Sequence, residues 1–357
     1  GPVKAYRATA LLGVGGFRED LRHAWEYDAH LRLMQEGLFE RLSPALVEVA
    51  AAPAAAGGPG ALHSPGRGPL GGFSYAFYPE DVEKEVTEAF ERALKEVGAW
   101  LPPDGPYEPP PPDPDAELPA SVVIPVLNRV DTIGDAIRSV QDGWFQDFEI
   151  VVVDNGSTDG TRELVERVAE NDARVRLVEG TGKNIASALN DGVRAARGWA
   201  ICQLDSDDLY VPQTLDRMIG HLEKEPMCAL AISYYQLGDS AGRPLADAPI
   251  VTHAGHTRNQ ILRRDGAGAL RVYRRSVLLE LGLFDAERFG DFGEDYDMVL
   301  RITEHHRLDR VPEVLYIYRR HEGNTDMTRP EELKHKNKNR ARQMARRRRM
   351  ARAGGGA

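Results

Sequence analysis

Beyond residue 119 the chain alternates short apolar runs with amphipathic segments. Runs at 121–124, 149–153, 175–178 and 200–204 have the length and the Val and Ile content of buried strands. Between the last two, Ile185, Leu189, Val193 and Ala196 fall on one helical face, and Gly198 stands where that helix is expected to stop. Strands alternating with crossover helices predict an α/β fold, an open sheet of nucleotide-binding type flanked by helices. In such sheets ligands sit beyond the carboxyl ends of the strands, so the residues just after each run are the ones to inspect.

Upstream the pattern changes. Residues 79–100 carry Val82, Val86, Phe90, Leu94 and Val97 on one helical stripe, whereas 50–72 are rich in Ala, Gly and Pro and predict a long loop. Residues 101–118 are dense in proline, unbroken at 109–112, and predict a stiff spacer that separates residues 1–100 from a domain at 119–325. Downstream, 296–302 predict a helix, 314–318 a strand, and 334–352 a basic helix within a tail spanning 326–357.

Three strand ends hold polar groups. The first has Pro125, Val126, Asn128 and Arg129; the second Asp154, Asn155, Ser157 and Asp159; the fourth Asp205, Ser206, Asp207 and Asp208. Closely spaced carboxylates repel unless a cation or hydroxyl groups lie between them, and a divalent ion bridging to a diphosphate meets that demand. A simpler account, helix caps and solvated turns, serves any one cluster. It serves three aligned clusters less well.

Ser121-Val-Val-Ile-Pro125, Val151-Val-Val-Asp-Asn-Gly-Ser-Thr-Asp159, Leu204-Asp-Ser-Asp-Asp208 and Gly293-Glu-Asp-Tyr-Asp297 resemble, in order and separation, the motifs of family 2 glycosyltransferases with the GT-A fold. The resemblance implies an open mixed sheet and an inverting, metal-dependent transfer of a sugar from a nucleoside-diphosphate donor, a UDP-sugar favoured. It places Pro125, Val126, Asn128, Arg129, Asp154, Lys183, Asp205 and Ser206 at the donor nucleotide, and Asp207 on Mn2+ or Mg2+, with His321 as a further candidate ligand. Asp295 takes the place of the catalytic base, with Glu294 its rival, and Gly266, Ala267, Gly268 and Arg320 fall on the acceptor and sugar side. Charge at the start of a helix is the simpler account of Glu294 and Asp295.

Residues 6–47 repeat the pattern of 273–315. Tyr6-Arg7 matches Tyr273-Arg274, and Leu11, Leu12, Gly15 and Phe17 match Leu278, Leu279, Gly282 and Phe284 without a gap. Tyr27-Asp28 then matches Tyr296-Asp297, which sets Glu26 at the position of Asp295. No aspartate-bearing strand precedes this copy. It is expected to be a smaller helical or α+β segment, the non-catalytic acceptor-side part of a second such domain.

The net charge of -10 argues against general nucleic-acid binding, although 334–352 is almost wholly basic and suits an anionic membrane surface or an anionic acceptor, a solvated or oligomer-forming tail being the simpler account. Cys202 and Cys228 sit in apolar runs, as buried thiols of a reducing compartment do, and no apolar run is long enough to span a membrane. These features predict a cytoplasmic protein, peripheral at the inner membrane face if the tail binds there. The expected partners are a nucleotide-sugar and a saccharide or lipid-linked acceptor. Two rivals stay open, a sugar nucleotidyltransferase and a donor-binding scaffold without turnover, but no glycine-rich phosphate loop follows the first strand.

Overall fold

The structure, a computed structural model, describes residues 5–36, 79–182, 184–246, 248–252, 257–290 and 292–354, together with the backbone of 61–68 and 71–77. In chain order the elements are α1 (Ala8–Gly13), α2 (Trp25–Glu36), β1 (Ala61–Gly68), β2 (Gly71–Phe77), α3 (Glu80–Glu96), β3 (Leu118–Val126), α4 (Ile133–Gln141), β4 (Phe148–Asp154), α5 (Thr161–Asn171), β5 (Val175–Glu179), α6 (Ile185–Ala195) and β6 (Gly198–Gln203). They continue as β7 (Leu209–Tyr210), α7 (Thr214–Lys224), β8 (Cys228–Gly238), α8 (Arg258–Arg263), β9 (Arg271–Arg274), α9 (Arg275–Glu280), α10 (Ala286–Phe289), α11 (Glu294–His305), β10 (Arg307–Arg319), α12 (Thr325–Thr328) and α13 (Glu331–Gly354). The chain divides into two compact units, one of residues 1–62, 75–100 and 346–357, the other of 63–74 and 101–345.

The larger unit is built on an eight-stranded sheet of order β5-β4-β3-β6-β9-β8-β10-β7. The first four strands run parallel, and β9 lies antiparallel between β6 and β8, so the sheet is mixed, as expected. The chain leaves β3 for β4 on one side and returns to its other side as β6, which makes the carboxyl ends of β3 and β6 a switch point where a crevice opens. All of β4 is buried, including Glu149, whose carboxylate takes bonds from Ser121 (2.7 Å), Arg176 (2.6 Å) and Arg197 (3.0 Å). Burial pushes the Glu149 pKa up, yet those bonds and the Arg197 amide outweigh it and hold the carboxyl below its usual range.

Helix α6 stops just ahead of Gly198, as expected, and the glycine itself belongs to the next strand. Ala196 ends α6 in extended geometry and Gly198 opens β6, where a Cβ would lie 2.5 Å from the Ala120 carbonyl carbon and the Ser121 nitrogen. Glycine is there because two backbones meet. Gly198→Ala is expected to cost about 2 kcal/mol by prising β6 from β3, read as a lower urea midpoint with unchanged slope.

Two expectations are corrected. The proline-rich stretch is no free spacer: Asp113 pairs with Arg275 at 2.6 Å, the Glu108 amide donates to the His305 carbonyl at 2.8 Å, and Leu101 exchanges bonds with Asn259. Helix α13 is no solvated tail either, since Lys334, Asn337, Lys338, Ala341 and Ala345 are buried at helical spacing. Lys338 reaches Asp265 at 2.6 Å, and Arg342 stacks on Tyr296 and donates to the Leu262 carbonyl at 3.1 Å. Half of the basic face is therefore spent on this unit.

In the smaller unit α2 packs on α3, and the Arg22 and Ala24 amides at its start both donate to Glu85 of α3 at 2.7 Å. Strands β1 and β2 form a two-stranded sheet within the stretch read as a long loop; the rest of that stretch lies outside the described residues. No helix among the described residues is long and apolar enough to cross a membrane. Cys202 and Cys228 are free and buried, as expected.

Candidate active site

The loops after β3 and β4 are laced together. Asn128, at a φ of 53°, accepts from the Thr158 amide at 2.8 Å while its own amide donates to Ser157 at 2.9 Å. The Arg129 and Val130 amides bond to Thr161 and Asp159. Asn128 thus spends its side chain on loop shape. Asp154, buried at the end of β4, takes the Ser157 amide on one oxygen, while the other has no hydrogen-bond partner.

After β6 the chain turns through Asp205, Ser206, Asp207 and Asp208. Asp208 is wholly buried and serves as a brace: one oxygen accepts from Tyr316 (2.8 Å) and the other from the Arg319 amide (2.8 Å), both on β10. The Arg319 guanidinium is buried and donates to the carbonyls of Asp207 and Thr132 (3.3 Å) and to Asp135 (3.2 Å). The turn is fixed from below, which leaves Asp205 and Asp207 directed to the crevice.

Asp207 meets His321 Nε2 at 2.9 Å and the Arg129 guanidinium at 3.5 Å. Burial raises its pKa, but the His321 bond and Arg129 outweigh that and hold it below the usual carboxylate range. Asp205 has no such cation in contact; burial, then Asp207, then Asp295 push it up to about 6, against Arg271. Because Asp205 feels both Asp207 and Asp295, the metal and base candidates belong to one site.

Asp295 opens α11, where its carboxylate takes the Tyr296 amide at 2.7 Å and the Arg271 guanidinium at 2.5 Å. Glu294 is buried, and burial followed by the charge of Asp295 pushes its pKa well up. Among the described residues, Arg271 Nε, Gln203 Oε1 and Glu294 Oε2 are also buried without a hydrogen-bond partner, a set of polar groups suited to a polar ligand.

The remaining expected residues fall less centrally. Pro125 and Val126 close β3 in the core, and the Ser206 carbonyl accepts from Thr132 at 3.0 Å. Ala267 is buried and Gly268 has a φ of 48°, three residues ahead of Arg271, but the described contacts do not join 266–268 to the aspartates. Arg320 is turned away, its amide bonded to the Gly238 carbonyl and its guanidinium over Tyr318. Lys183 lies outside the described residues. Sequence reasoning missed Arg271 and Tyr316; for Arg319, after the 314–318 strand, it offered pairing with a carboxylate, and Arg319 does pair with Asp135. Alternation along β9 does put Arg271 and Tyr273 on one face, which was the available signal for the first.

A second cluster, His221, Cys228 and Asp309, has ligand atoms within 4.8 Å of one another. Asp309 already pairs with Arg307 at 2.6 Å, and burial pushes the Cys228 thiol up to about 12, so the cluster reads as an ion pair beside a neutral thiol.

Residues 121–282 match the family described as glycosyl transferase family 2. An uncharacterized glycosyltransferase of Rickettsia bellii is 27% identical over 213 residues, covering 59% of this chain and 30% of that protein. Chondroitin synthase of Escherichia coli is 26% identical over 210 residues, covering 58% of this chain and 30% of that protein. The matched part is thus under a third of either relative's length. The S. aureus TarS 1-349 structure in complex with UDP-GlcNAc aligns with a TM-score of 0.48 at 19% identity, covering 60% of this chain and 62% of that one, too distant a likeness to add to the assignment. Residues 121–282 of this chain thus form a domain that matches glycosyl transferase family 2.

Proposed function

We propose that residues 119–325 transfer one sugar from a nucleoside-diphosphate donor, a UDP-sugar favoured, to a hydroxyl of a glycan or lipid-linked saccharide, with inversion. The observation that carries this reading is the convergence of Asp205, Asp207 and Asp295 at the switch point of the sheet. The name of the chondroitin synthase relative leans the acceptor towards a glycan.

In this reading the Asp154 oxygen that lacks a hydrogen bond, with Arg162 3.9 Å away, accepts from the base, and Asp205 meets ribose. Asp207 and His321 offer an oxygen and a nitrogen side by side, a donor set that suits Mn2+ better than the oxygen-seeking Mg2+, and they would hold the ion with Asp205 near. Bound there, the ion would offset the charge that develops on the leaving diphosphate. Arg129 adds a second positive group at the same place. Asp295 takes the proton of the attacking hydroxyl, and Arg271 holds that carboxylate in position until the acceptor arrives.

The account makes Asp205 pH-sensitive. Its pKa in the free protein is raised to about 6, whereas ligand binding needs it ionised, so below pH 6 a proton must first leave. Affinity for UDP with Mn2+ is expected to fall by about tenfold per pH unit below that point and to level off above it. Calorimetry at pH 5, 6 and 7 checks this, and Asp205→Asn is expected to flatten the profile.

Turnover itself is tested by release of nucleoside diphosphate from UDP-, GDP- and dTDP-sugars, with and without saccharide acceptors. Release from one donor, enhanced by an acceptor, is the expected result. Binding without release from any donor favours the scaffold reading.

A further inference from the structure

Residues 6–36 repeat the geometry of 273–305 in atomic detail. Helices α1 and α9 each have six residues, entered from Arg7 (φ -67°, ψ 120°) and Arg274 (φ -73°, ψ 125°). Both end in the same turn: Gly16 donates to the Leu11 carbonyl and Leu283 to the Leu278 carbonyl, each at 2.8 Å. The two residues of each turn are left-handed, Gly15 and Gly16 at 86° and 68°, Gly282 and Leu283 at 77° and 67°. Tyr6 meets Phe17 edge-on at 6.0 Å and 84°, and Tyr273 meets Phe284 at 6.0 Å and 88°.

The second helices, α2 and α11, have twelve residues each. Arg32 pairs with Asp28 and donates to the Val14 and Gly16 carbonyls; Arg301 pairs with Asp297 and donates to the Leu281 and Leu283 carbonyls. A half-buried arginine stapling a turn to a helix through the same three partners is a built device. Chance resemblance of two short helices would not reproduce it.

The copies differ in what covers them. Phe284, Glu294 and Thr303 are 4%, 6% and 2% exposed, whereas the equivalent Phe17, Trp25 and Met34 are 42%, 42% and 47% exposed. Leu12 and its counterpart Leu279 are both exposed, so the difference is confined to one face. In the larger unit that face is covered: α9 packs on β6 and α10 on α6 of the nucleotide-binding half, Asn190 of α6 exchanges two 2.9 Å bonds with the Phe284 backbone, and α11 packs on α8, β8 and β10.

We infer that the face of Phe17, Trp25 and Met34 is a docking surface for a nucleotide-binding half-sheet of the same kind as residues 118–203. A second copy of this chain does not supply it, because its own β6 already pairs with β9. The inference concerns folding alone and stands or falls apart from the transfer reaction.

The test joins residues 101–270 of this chain ahead of Lys4 of the full protein, the junction equivalent to 270–271. Under limited trypsin digestion the added half is expected to survive at least about tenfold longer than in the same fusion carrying Phe17→Asp. Rapid loss of the added half, or survival indifferent to Phe17→Asp, overturns the inference. In the protein without the fusion, Met34→Ser is expected to lower Tm by no more than about 2 °C, since Met34 is exposed. A larger fall would mean that this chain covers the face itself, and would also overturn it.

Discussion

Asp295→Asn is expected to lower kcat about 1,000-fold while leaving the donor Kd within about twofold, because the carboxylate acts on the acceptor proton and not on the nucleotide. Asn keeps the shape and can still take the Tyr296 amide on its oxygen, so the start of α11 should hold. Glu294, its buried neighbour, has its pKa pushed well up by burial and then by the charge of Asp295. Steady-state rates with saturating donor, set beside calorimetric donor affinity, separate the two quantities. Transfer that survives in the variant would place the base elsewhere.

Arg319→Ala is expected to destabilise the larger unit by about 3 kcal/mol. The guanidinium is 1% exposed, and its loss strands the Asp207 and Thr132 carbonyls in a cavity they cannot fill. The loss should also loosen the turn that presents Asp207, so donor affinity with Mn2+ falls in step with stability. Urea unfolding gives the first number and calorimetry the second. A variant as stable as the parent would mean that Asp208 and Tyr316 suffice to brace the turn.

The sheet was legible because buried parallel strands are continuous apolar runs, and the site because chemistry in such sheets collects where those runs end. Asp205, Asp207 and Asp295 could be named on that ground and by resemblance. Their supports could not. Arg319 and Tyr316 reach the aspartate turn from more than a hundred residues away, and local pattern does not report which strand will pass beneath which loop. Arg271 was hidden in an arginine-rich segment whose inward face only the sheet decides.

Other features needed the fold for the same reason. Gly198 follows the helix as read, yet the backbone contact with β3 that calls for glycine there was not legible. Asn128 stands at the expected strand end, and its Oδ1 takes the Thr158 amide of the neighbouring loop. The basic helix reads as solvated from its charge, whereas Lys338 and Arg342 find Asp265 and Tyr296 once the chain folds back. The internal repeat was visible in aromatic and glycine spacing. Its exposed face was not, since exposure depends on what else is present.

The most direct test of the central claim is calorimetric titration of UDP-, GDP- and dTDP-sugars into the protein with and without Mn2+, repeated on Asp207→Ala. Binding of one donor that requires the ion and is lost by at least about a hundredfold in the variant is the predicted result. Equal affinity in the parent and the variant, or no dependence on the ion, would contradict a metal-bridged diphosphate at this site.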